Sequence, residues 1–274
     1  MQESKKPEDH ESARRPTRLT AITREVSASM DNCELSFQTR RPIDVAKART
    51  QHEAYQECLR ELGVRVVTLP AEPALPDAVF VEDPAVVVDE IAVIANPGAA
   101  SRRPEAKSLA EALARYRPLK FIAEPATLEG GDVMQIGRSV FVGLSQRTNP
   151  AGVAQLRELL APYGYRVQAV GVRGCLHLKS ACFYVGRETL LVRRAWIDVE
   201  LLGGFELLEV AEEEPAAANA LLLNEIVIMP ASFPKTRARL EQRGFCVRTI
   251  DVSELQKAEA GVTCCSLLLT DDAT

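Results

Sequence analysis

The sequence Asp132-Val-Met-Gln-Ile-Gly-Arg-Ser-Val-Phe-Val-Gly143 places a turn at Gly137-Arg138 between two β-rich runs. The same pattern recurs at Gly186-Arg187, 49 residues after the first turn. Glycine adopts backbone conformations that other residues avoid, so it suits the tight turn of a hairpin. Two further copies have their turns at Asp89-Glu90 and Asn224-Glu225. The sequence therefore predicts four copies of one β-hairpin unit.

Helical signals follow each hairpin. Asn149 is a good N-cap and Pro150 suits the first helical position. The apolar stripe of this helix consists of Val153, Leu156, Leu159 and Leu160. Arg103-Pro104 and Pro234 open the equivalent helices, whereas the third unit has only Ile197 to Leu202 before a Gly-Gly pair. Each unit thus reads as two strands, a helix and a closing strand.

A fifth unit can be assembled only by joining the two ends of the chain. Its first strand is predicted at Cys264 to Thr270 and its second at Leu19 to Ser27. The helix then runs from Asp44 to Leu62, and the last strand from Val64 to Leu69. A repeat of this length indicates a solenoid, a propeller or an array, and sharing one repeat between both termini favours a closed ring. We predict an α/β fold: a five-unit α/β propeller of ββαβ repeats with pseudo-fivefold symmetry, closed by pairing of the N- and C-terminal segments.

Composition limits the class of protein. The 274 residues are 46% apolar and 26% charged, which is typical of a globular chain with a large core. Residues 1–18 are almost entirely polar, so we expect a disordered tail followed by a single domain over 19–274. The 33 basic and 38 acidic residues lack the basic excess that nucleic-acid binding needs. No apolar run suits a membrane span or a signal peptide, and we expect a cytoplasmic protein.

Seven cysteines, an odd number without a C-x-x-C pair, argue against a disulfide framework and a zinc ribbon. We expect reduced thiols that are mostly buried. Any cysteine proposed as a nucleophile therefore needs support from its neighbours.

Carboxylates are concentrated in two segments. Pro76-Asp-Ala-Val-Phe-Val-Glu-Asp-Pro84 inserts three of them into an apolar run, and Thr127-Leu-Glu-Gly-Gly-Asp132 adds two at the matching place in the next unit. These carboxylates could simply cap turns and helices. If they meet in one cavity, however, their repulsion is relieved by a cation, and a cationic substrate would serve. A metal site is not predicted, because no histidine spacing accompanies the oxygens.

The chain has three histidines. His10 lies in the polar tail, and His52 falls on the apolar face of the first helix, which indicates a packed core residue. His177 stands at the head of a strand, in the repeat position that holds carboxylates in the two preceding units. It could be structural there, but an imidazole that faces carboxylates also suits acid/base catalysis near neutral pH.

A Cys264-Cys265 pair opens the predicted last strand. Neighbouring side chains on a strand point to opposite faces, so one thiol should face the core and the other the cavity. A thiolate beside a protonated histidine attacks planar carbon well, and its pKa is lowered. Plain burial of both thiols is the alternative.

Together these residues resemble the dimethylarginine dimethylaminohydrolases, within the guanidino-group-modifying superfamily that also holds the arginine deiminases. The resemblance covers about Leu19 to Leu269. Its motifs are Leu75-Pro-Asp-Ala-Val-Phe-Val-Glu-Asp83, Pro97-Gly-Ala-Ala-Ser-Arg-Arg103, Leu128-Glu-Gly-Gly-Asp132, Val142-Gly-Leu-Ser-Gln-Arg-Thr-Asn149, Leu176-His-Leu-Lys-Ser180 and Thr263-Cys-Cys-Ser266. The family fold is a five-unit α/β propeller, in agreement with the repeat.

The resemblance implies hydrolysis of Nω-methylated arginines to citrulline and methylamine or dimethylamine, with no cofactor and no metal. Cys264 would be the nucleophile that forms a covalent thiouronium intermediate. His177 would protonate the departing amine and then activate water. Glu129 would orient His177 and balance its charge.

The resemblance also implies the residues that bind the cationic guanidino substrate. Asp77, Glu82 and Asp83 would grip the guanidinium. Arg102 and Arg147 would hold the substrate carboxylate, for which the planar fork of arginine is suited.

The amino-acid end of the substrate would contact Leu35 and Ala258. Leu35 lies in a 16-residue connection before the first helix, which we expect to act as a lid. Arginine deiminases have His-x-Asp where this chain has His177-Leu-Lys179, and Lys179 favours the methylarginine enzyme.

Two alternatives remain at this point. One is a deiminase-like hydrolase of unmethylated arginine or another guanidine. The other is a non-catalytic thiol-sensing or zinc-sensing protein, in which Cys264 and Cys265 react with oxidants or bind zinc. The expected partner is a small cationic guanidine rather than nucleic acid or a membrane, and both a monomer and a homodimer are compatible with the sequence.

Overall fold

The computed structural model describes residues 18–271, and in this part of the chain fifteen strands form five three-stranded sheets. The strands are β1 (Arg18–Arg24), β2 (Arg65–Leu69), β3 (Ala85–Val87), β4 (Ala92–Ile94), β5 (Leu119–Phe121), β6 (Val133–Ile136), β7 (Ser139–Leu144), β8 (Arg166–Gly171), β9 (Cys182–Gly186), β10 (Thr189–Val192), β11 (Glu206–Glu209), β12 (Leu221–Leu223), β13 (Ile226–Pro230), β14 (Cys246–Ile250) and β15 (Leu267–Asp271).

All five sheets have one topology. In each, the central strand pairs antiparallel with one neighbour and parallel with the other. The central strands are β1, β4, β7, β10 and β13. Antiparallel neighbours need only a hairpin turn, whereas a parallel neighbour needs a crossover. The predicted order of two strands, a crossover and a closing strand is therefore confirmed.

The four predicted turns are in place. Gly137 joins β6 to β7 at a φ of 57°, and Gly186 ends β9 at a φ of 92°. This left-handed region costs glycine little. The turn between β12 and β13 has no glycine, and there Asn224 and Glu225 adopt the left-handed conformation, at φ values of 47° and 66°. Asparagine tolerates this conformation better than most residues.

The two ends of the described chain pair with each other. β15 lies antiparallel to β1, with Leu19 opposite Thr270 and Ile22 opposite Leu267. The predicted pairing of the terminal segments is confirmed, but β15 begins at Leu267, and not at Cys264. Of the predicted tail over residues 1–18, Arg18 belongs to β1, and the other seventeen residues, with His10 among them, lie outside the described residues.

Helices pack beside the sheets. They are α1 (Val45–Glu61), α2 (Glu105–Leu113), α3 (Pro150–Leu160), α4 (Leu178–Ala181), α5 (Pro234–Gln242) and α6 (Ser253–Gln256). Helices α1, α2, α3 and α5 lie where the sequence predicted them, whereas the one-turn helices α4 and α6 were not predicted. The Asn149 side chain accepts a hydrogen bond from Gly152 N at 2.8 Å, and Asp44 caps α1 in the same way. Ile197 to Leu202 contains only the 3-10 turn Val199–Leu202. No described helix is long and apolar enough to cross a membrane.

The first strands of the five sheets surround a common cavity of about 330 Å³. Each of these strands contributes at least one residue to the wall of the cavity: Val86, Met134, Tyr184, Leu222 and Leu268. Glu82, Gly130, Lys179 and Thr263 line its polar end. These four residues lie in the segments that precede the first strands, Lys179 on α4, so the fold brings four separate stretches of sequence together at one place.

Candidate active site

His177 and Glu129 form a buried pair. His177 is 3% exposed and Glu129 is fully buried. His177 Nε2 lies 2.7 Å from Glu129 Oε2, and Nδ1 lies 3.8 Å from Asp83 Oδ1. The histidine was expected at the head of a strand, but it is the N-cap of the one-turn helix α4, which precedes β9. The predicted partnership of His177 and Glu129 is present in the structure.

The carboxylates around His177 raise its pKa by more than burial lowers it. Burial alone would lower the pKa of His177, but the carboxylates of Asp83, Glu129 and Asp132 raise it to about 9. Burial opposes the ionisation of Glu129 as well. The hydrogen bond and charge of His177, with the charges of Arg102 and Arg147, nevertheless hold the pKa of Glu129 well below its usual range. At neutral pH the pair is therefore an imidazolium beside a carboxylate.

The paired glycines allow this close packing. A Cβ at Gly131 would lie 2.5 Å from His177 Nδ1 and 2.7 Å from Asp83 Oδ1. A Cβ at Gly130 would lie 2.1 Å from the carbonyl oxygen of Glu82. Only glycine fits at either position without a shift of its neighbours. The Gly-Gly pair thus lets His177, Asp83 and the backbone of Glu82 approach one another closely.

Cys264 lies in a turn just before β15, so the expected alternation of the two thiols along a strand was wrong. Cys264 is 9% exposed and Cys265 is fully buried. The Sγ of Cys264 accepts a hydrogen bond from Gly261 N at 3.4 Å, and its carbonyl oxygen accepts one from Glu82 N at 3.3 Å. Both contacts fix the position of Cys264 beside the carboxylate segment.

The surroundings of Cys264 favour the protonated thiol. Burial, with the charges of Glu82 and Asp83, raises its pKa to about 12. This is the reverse of the lowered pKa that the sequence suggested. Desolvation disfavours a thiolate, and two nearby carboxylates disfavour it further. A cation placed between the thiol and these carboxylates would act in the opposite direction.

The three predicted guanidinium ligands have separate partners. Asp77 Oδ2 accepts from Glu34 N at 2.9 Å, and burial raises the pKa of Asp77. Glu82 contacts Lys179 Nζ at 2.5 Å through one oxygen and Thr263 Oγ1 at 2.7 Å through the other. Burial also raises the pKa of Glu82.

Asp83, the third of these carboxylates, binds Arg102 through Oδ2 and accepts from Gly131 N at 3.2 Å through Oδ1. Arg102 also contacts both oxygens of Glu105, at 3.1 and 2.8 Å. Burial raises the pKa of Glu105 to about 7, against the attraction of Arg102. Arg102 is thus held between two carboxylates in the substrate-free structure.

Arg147, the other predicted arginine, bridges the site and the β1–α1 loop (25–44). Its Nη1 donates to Glu129 Oε1 at 3.2 Å, and its Nη2 donates to Ser36 Oγ at 2.9 Å. Leu35 of the same loop is half-buried and packs against the apolar cluster that contains Ala258 and Cys264. The structure therefore places Leu35, Ala258 and Arg147 around the catalytic candidates.

Within residues 18–271, one group of side chains has the spacing of a cation site: Asp83, Glu129 and His177, whose ligand atoms lie within 4.8 Å of one another. The guanidinium groups of Arg102 and Arg147 already bind the two carboxylates. The third member is itself a cation at neutral pH, since its pKa is about 9. The donor set does not favour a metal ion.

The sequence analysis missed Asn219. Its Nδ2 donates to Thr263 Oγ1 at 3.0 Å and to the carbonyl oxygen of Lys179 at 3.3 Å, so it joins two active-site loops. Asn219 stands just before β12, which is the position that holds Glu129 and His177 in other units. The repeat was the signal that could have identified it.

Asp132 was noticed as a carboxylate but given no role. Its Oδ1 accepts from Leu178 N at 2.9 Å and its Oδ2 from Ser145 Oγ at 2.6 Å. Burial raises the pKa of Asp132 to about 6. The contact with Leu178 N fixes the backbone that carries His177.

Comparison with known proteins gives a consistent set of relatives. The family model described as "N,N dimethylarginine dimethylhydrolase, eukaryotic" matches residues 15–268. The N(G),N(G)-dimethylarginine dimethylaminohydrolase of Pseudomonas aeruginosa is 38% identical over 226 residues, covering 82% of this chain and 89% of the relative. The protein of the same name from Streptomyces coelicolor is 39% identical over 254 residues, covering 92% and 97%.

Solved structures are similar as well. A variant of the P. aeruginosa enzyme in complex with citrulline has a TM-score of 0.86 at 36% identity and covers 91% of this chain and 98% of its own. A dimethylarginine dimethylaminohydrolase adduct with S-methyl-L-thiocitrulline has a TM-score of 0.87 at 35% identity, with the same coverage. The N-terminal domain of ArgZ, an arginine dihydrolase, has a TM-score of 0.83 at 18% identity, which shows a shared fold alone.

Proposed function

The chain belongs to the dimethylarginine dimethylaminohydrolase family, and we propose that it hydrolyses Nω-methylated arginines to citrulline and methylamine or dimethylamine. The observation that carries this proposal is the buried contact of 2.7 Å between His177 and Glu129 in a site rich in carboxylates. Such a pair supplies and removes protons at neutral pH. The substrate is a cation, which suits the charge of the site.

The charge balance favours a guanidinium. Six carboxylates meet here, those of Asp77, Glu82, Asp83, Glu105, Glu129 and Asp132. The permanent cations among them are Arg102, Arg147 and Lys179, and His177 adds a fourth positive charge. Burial raises the pKa of Glu105 to about 7 and that of Asp132 to about 6, so part of the negative charge is neutralised by protons. A substrate cation favours the ionised form of these carboxyl groups, and they attract it in turn. Asp77, Glu82 and Asp83 are the proposed guanidinium ligands, and Arg102 and Arg147 are proposed to hold the substrate carboxylate.

Substrate binding would also activate the nucleophile. The guanidinium offsets the charges of Glu82 and Asp83, which help to raise the pKa of Cys264 to about 12 in the empty site. The thiol then gives its proton to solvent, and Sγ forms a bond to the guanidinium carbon while the π electrons of one carbon–nitrogen bond move onto that nitrogen. Binding and activation are therefore coupled, so the free thiol stays unreactive until substrate is present.

His177 would act twice. As an imidazolium it gives a proton to the methylated nitrogen, the bond from carbon to that nitrogen breaks, and the amine leaves a thiouronium on Cys264. Neutral His177 then takes a proton from water as the water oxygen bonds to the same carbon. The carbon–sulfur bond breaks, the proton of the new hydroxyl passes to sulfur, and citrulline leaves with Cys264 again a thiol. Glu129 holds the imidazole in place through both steps. Leu35 and Ala258 are proposed to contact the amino-acid end of the substrate.

We also propose that residues 19–274 form one catalytic domain, a five-unit α/β propeller with pseudo-fivefold symmetry. The support is the common strand order of the five sheets, the pairing of β15 with β1 and the cavity that all five first strands line. A cytoplasmic location and a state of monomer or homodimer are further proposals from the sequence.

The test is citrulline release from asymmetric dimethylarginine, monomethylarginine and arginine in parallel, with Cys264→Ser as the blank. We expect release from the methylated substrates and none from the blank. Release mainly from arginine would contradict the proposal and favour the deiminase-like alternative. Absence of release from all three would favour a thiol or zinc sensor.

A further inference from the structure

Glu259 holds three consecutive backbone amides of the β1–α1 loop. Its Oε2 accepts from Ser36 N at 3.0 Å, and its Oε1 accepts from Phe37 N and Gln38 N. Successive amides that point at one anion form a concave binding site, and hydrogen bonds to a charged acceptor are stronger than neutral ones. The carboxylate thus fixes the part of the loop that lies over the active site.

The backbone at Glu259 is unusual. Its φ is 59°, a left-handed value that is uncommon for a residue with a side chain. A glycine would adopt it more readily. Glu259 follows Ala258, a proposed substrate contact. Strained backbone of this kind persists when surrounding contacts hold it, and here the side chain of Glu259 makes such contacts with the loop.

From the loop, a chain of contacts runs to the catalytic candidates. Ser36, whose amide binds Glu259, accepts from Arg147 Nη2 at 2.9 Å through its hydroxyl. Arg147 Nη1 donates to Glu129 Oε1 at 3.2 Å, and Glu129 Oε2 lies 2.7 Å from His177 Nε2. Movement of Ser36 would therefore free one side of Arg147, which is the cation that helps to hold Glu129.

The rest of the loop has its own anchors. Asp44 N donates to Glu254 Oε2 at 2.9 Å, and Lys257 Nζ donates to the carbonyl oxygen of Pro42 at 3.0 Å. These contacts do not involve Glu259. Glu34 N is held by Asp77 Oδ2 at 2.9 Å, and Gln38 Nε2 donates to the carbonyl oxygen of Gln256 at 3.3 Å. Loss of the Glu259 carboxylate would thus release the backbone amides of residues 36–38 and leave the base of the loop attached to its neighbours.

We propose that Glu259 is a positioning residue that holds the β1–α1 loop closed over the substrate and so aligns Arg147 with Glu129. The kinetic part of this inference rests on the proposed hydrolysis, whereas the contact with the loop does not. Hydrogen exchange of the loop amides tests the contact, and enzyme kinetics test its effect on hydrolysis, so the two parts of the inference can fail separately.

Hydrogen exchange of the amides of Ser36, Phe37 and Gln38 tests the contact without any substrate. In Glu259→Gln, an isosteric change without the charge, these amides should exchange at least about tenfold faster, because hydrogen bonds to a charged group are lost. Glu225→Gln is the matched control: Glu225 also has a left-handed φ, of 66°, but it lies exposed at the turn between β12 and β13. Unchanged exchange in Glu259→Gln would overturn the proposal.

Kinetics test the coupling to the active site. Glu259→Gln should raise KM by about tenfold and also lower kcat several-fold, since both loop closure and the Arg147 contact are weakened. Glu259→Asp, which keeps a carboxylate on a shorter arm, should recover part of both losses. A change in overall stability alone would not give this rescue.

A double-mutant cycle tests whether Glu259 affects Arg147 through its contact with Ser36. Ser36→Ala removes the hydroxyl that Arg147 contacts and leaves the amide that Glu259 binds. If both residues act through Arg147, adding Ser36→Ala to Glu259→Gln should cause no further loss of kcat. Independent, additive losses would overturn the coupling. If the wild-type chain released no citrulline, the proposed function would fail, and the exchange result would still decide whether Glu259 holds the loop.

Discussion

Two buried histidines of this chain differ in pKa by about five units. His52 on α1 is 2% exposed and His177 in the active site is 3% exposed. Burial lowers the pKa of His52 to about 4. Burial acts on His177 in the same direction, but Asp83, Glu129 and Asp132 raise its pKa to about 9. The charge of a buried histidine therefore depends on its partners.

The surroundings of His52 are those of a packed side chain. Its Nδ1 lies 3.4 Å from Gln56 Nε2, one helical turn away, and its ring lies 6.2 Å from that of Tyr55. A hydrogen bond with the backbone of Cys265 raises the pKa of His52, but with a neutral amide and an aromatic ring as its other neighbours, burial has the larger effect. The prediction that His52 is a core residue is confirmed by its burial.

Exchanging each histidine for glutamine should produce the largest contrast. His177→Gln should lower kcat by about a thousandfold, within the usual contribution of acid/base catalysis. His52→Gln should leave kcat unchanged, because His52 lies outside the proposed catalytic groups. Citrulline release measures both, with circular dichroism as the control for folding. Equal losses in the two variants would contradict the distinction between them.

Removing the charge of Glu129 should make His177 more like His52. Glu129→Gln leaves burial intact but takes away the closest carboxylate, so the pKa of His177 should fall from about 9. We expect kcat to drop by about a hundredfold and its alkaline limb to move to lower pH, since His177 must be protonated to release the amine. The pH profile of kcat measures this. A limb that stays in place would mean that another group supplies the proton.

The pH dependence of stability should sharpen the comparison further. The folded-state pKa of His52, about 4, lies below the ordinary 6.5, so its contribution to stability is present above pH 6.5 and lost as the pH falls towards 4. At pH 5 this loss amounts to about 2 kcal/mol. Denaturant unfolding of wild type and His52→Gln at pH 7 and pH 5 measures it. The free energy of unfolding of His52→Gln should fall less than that of wild type between pH 7 and pH 5.

His177 has the opposite window. Its folded-state pKa, about 9, lies above 6.5, so its contribution to stability is complete below pH 6.5 and lost as the pH rises through 9. His177→Gln should therefore be less sensitive than wild type to alkaline unfolding. A variant that loses stability on the acid side instead would show that the two environments had been assigned wrongly.

The fold was largely predictable because its signals are local and repeated. Hairpin turns such as Gly137-Arg138, the cap at Asn149 and the alternation of apolar residues each depend on a few neighbouring residues. The fifth unit, built from both ends of the chain, could be predicted because four complete copies of the repeat left one incomplete copy at each end. The start of β15 was misplaced because Cys264 and Cys265 are apolar enough to resemble strand residues while they lie in a turn.

Partners of the site residues were much less predictable. The pairing of Arg102 with Glu105, the link from Asn219 to Thr263 and the contact of Glu259 with the β1–α1 loop join side chains in irregular segments. No periodicity fixes the direction of a side chain in such a segment. The pKa of Cys264 is raised by burial and by the charges of Glu82 and Asp83, and the sequence did not show how close these groups lie to the thiol, so the direction of the shift was predicted wrongly.

The most direct test of the mechanism is to trap the covalent intermediate. His177→Gln, incubated with S-methyl-L-thiocitrulline and quenched in acid, should carry the mass of that substrate less methanethiol on the peptide that contains Cys264 and Cys265. Methanethiolate leaves without a proton from His177, so the variant can form the intermediate but cannot activate water to hydrolyse it. The account predicts that this adduct persists when Cys265→Ala is added and disappears when Cys264→Ala is added. An adduct that depends on Cys265, or that forms without either thiol, would contradict it.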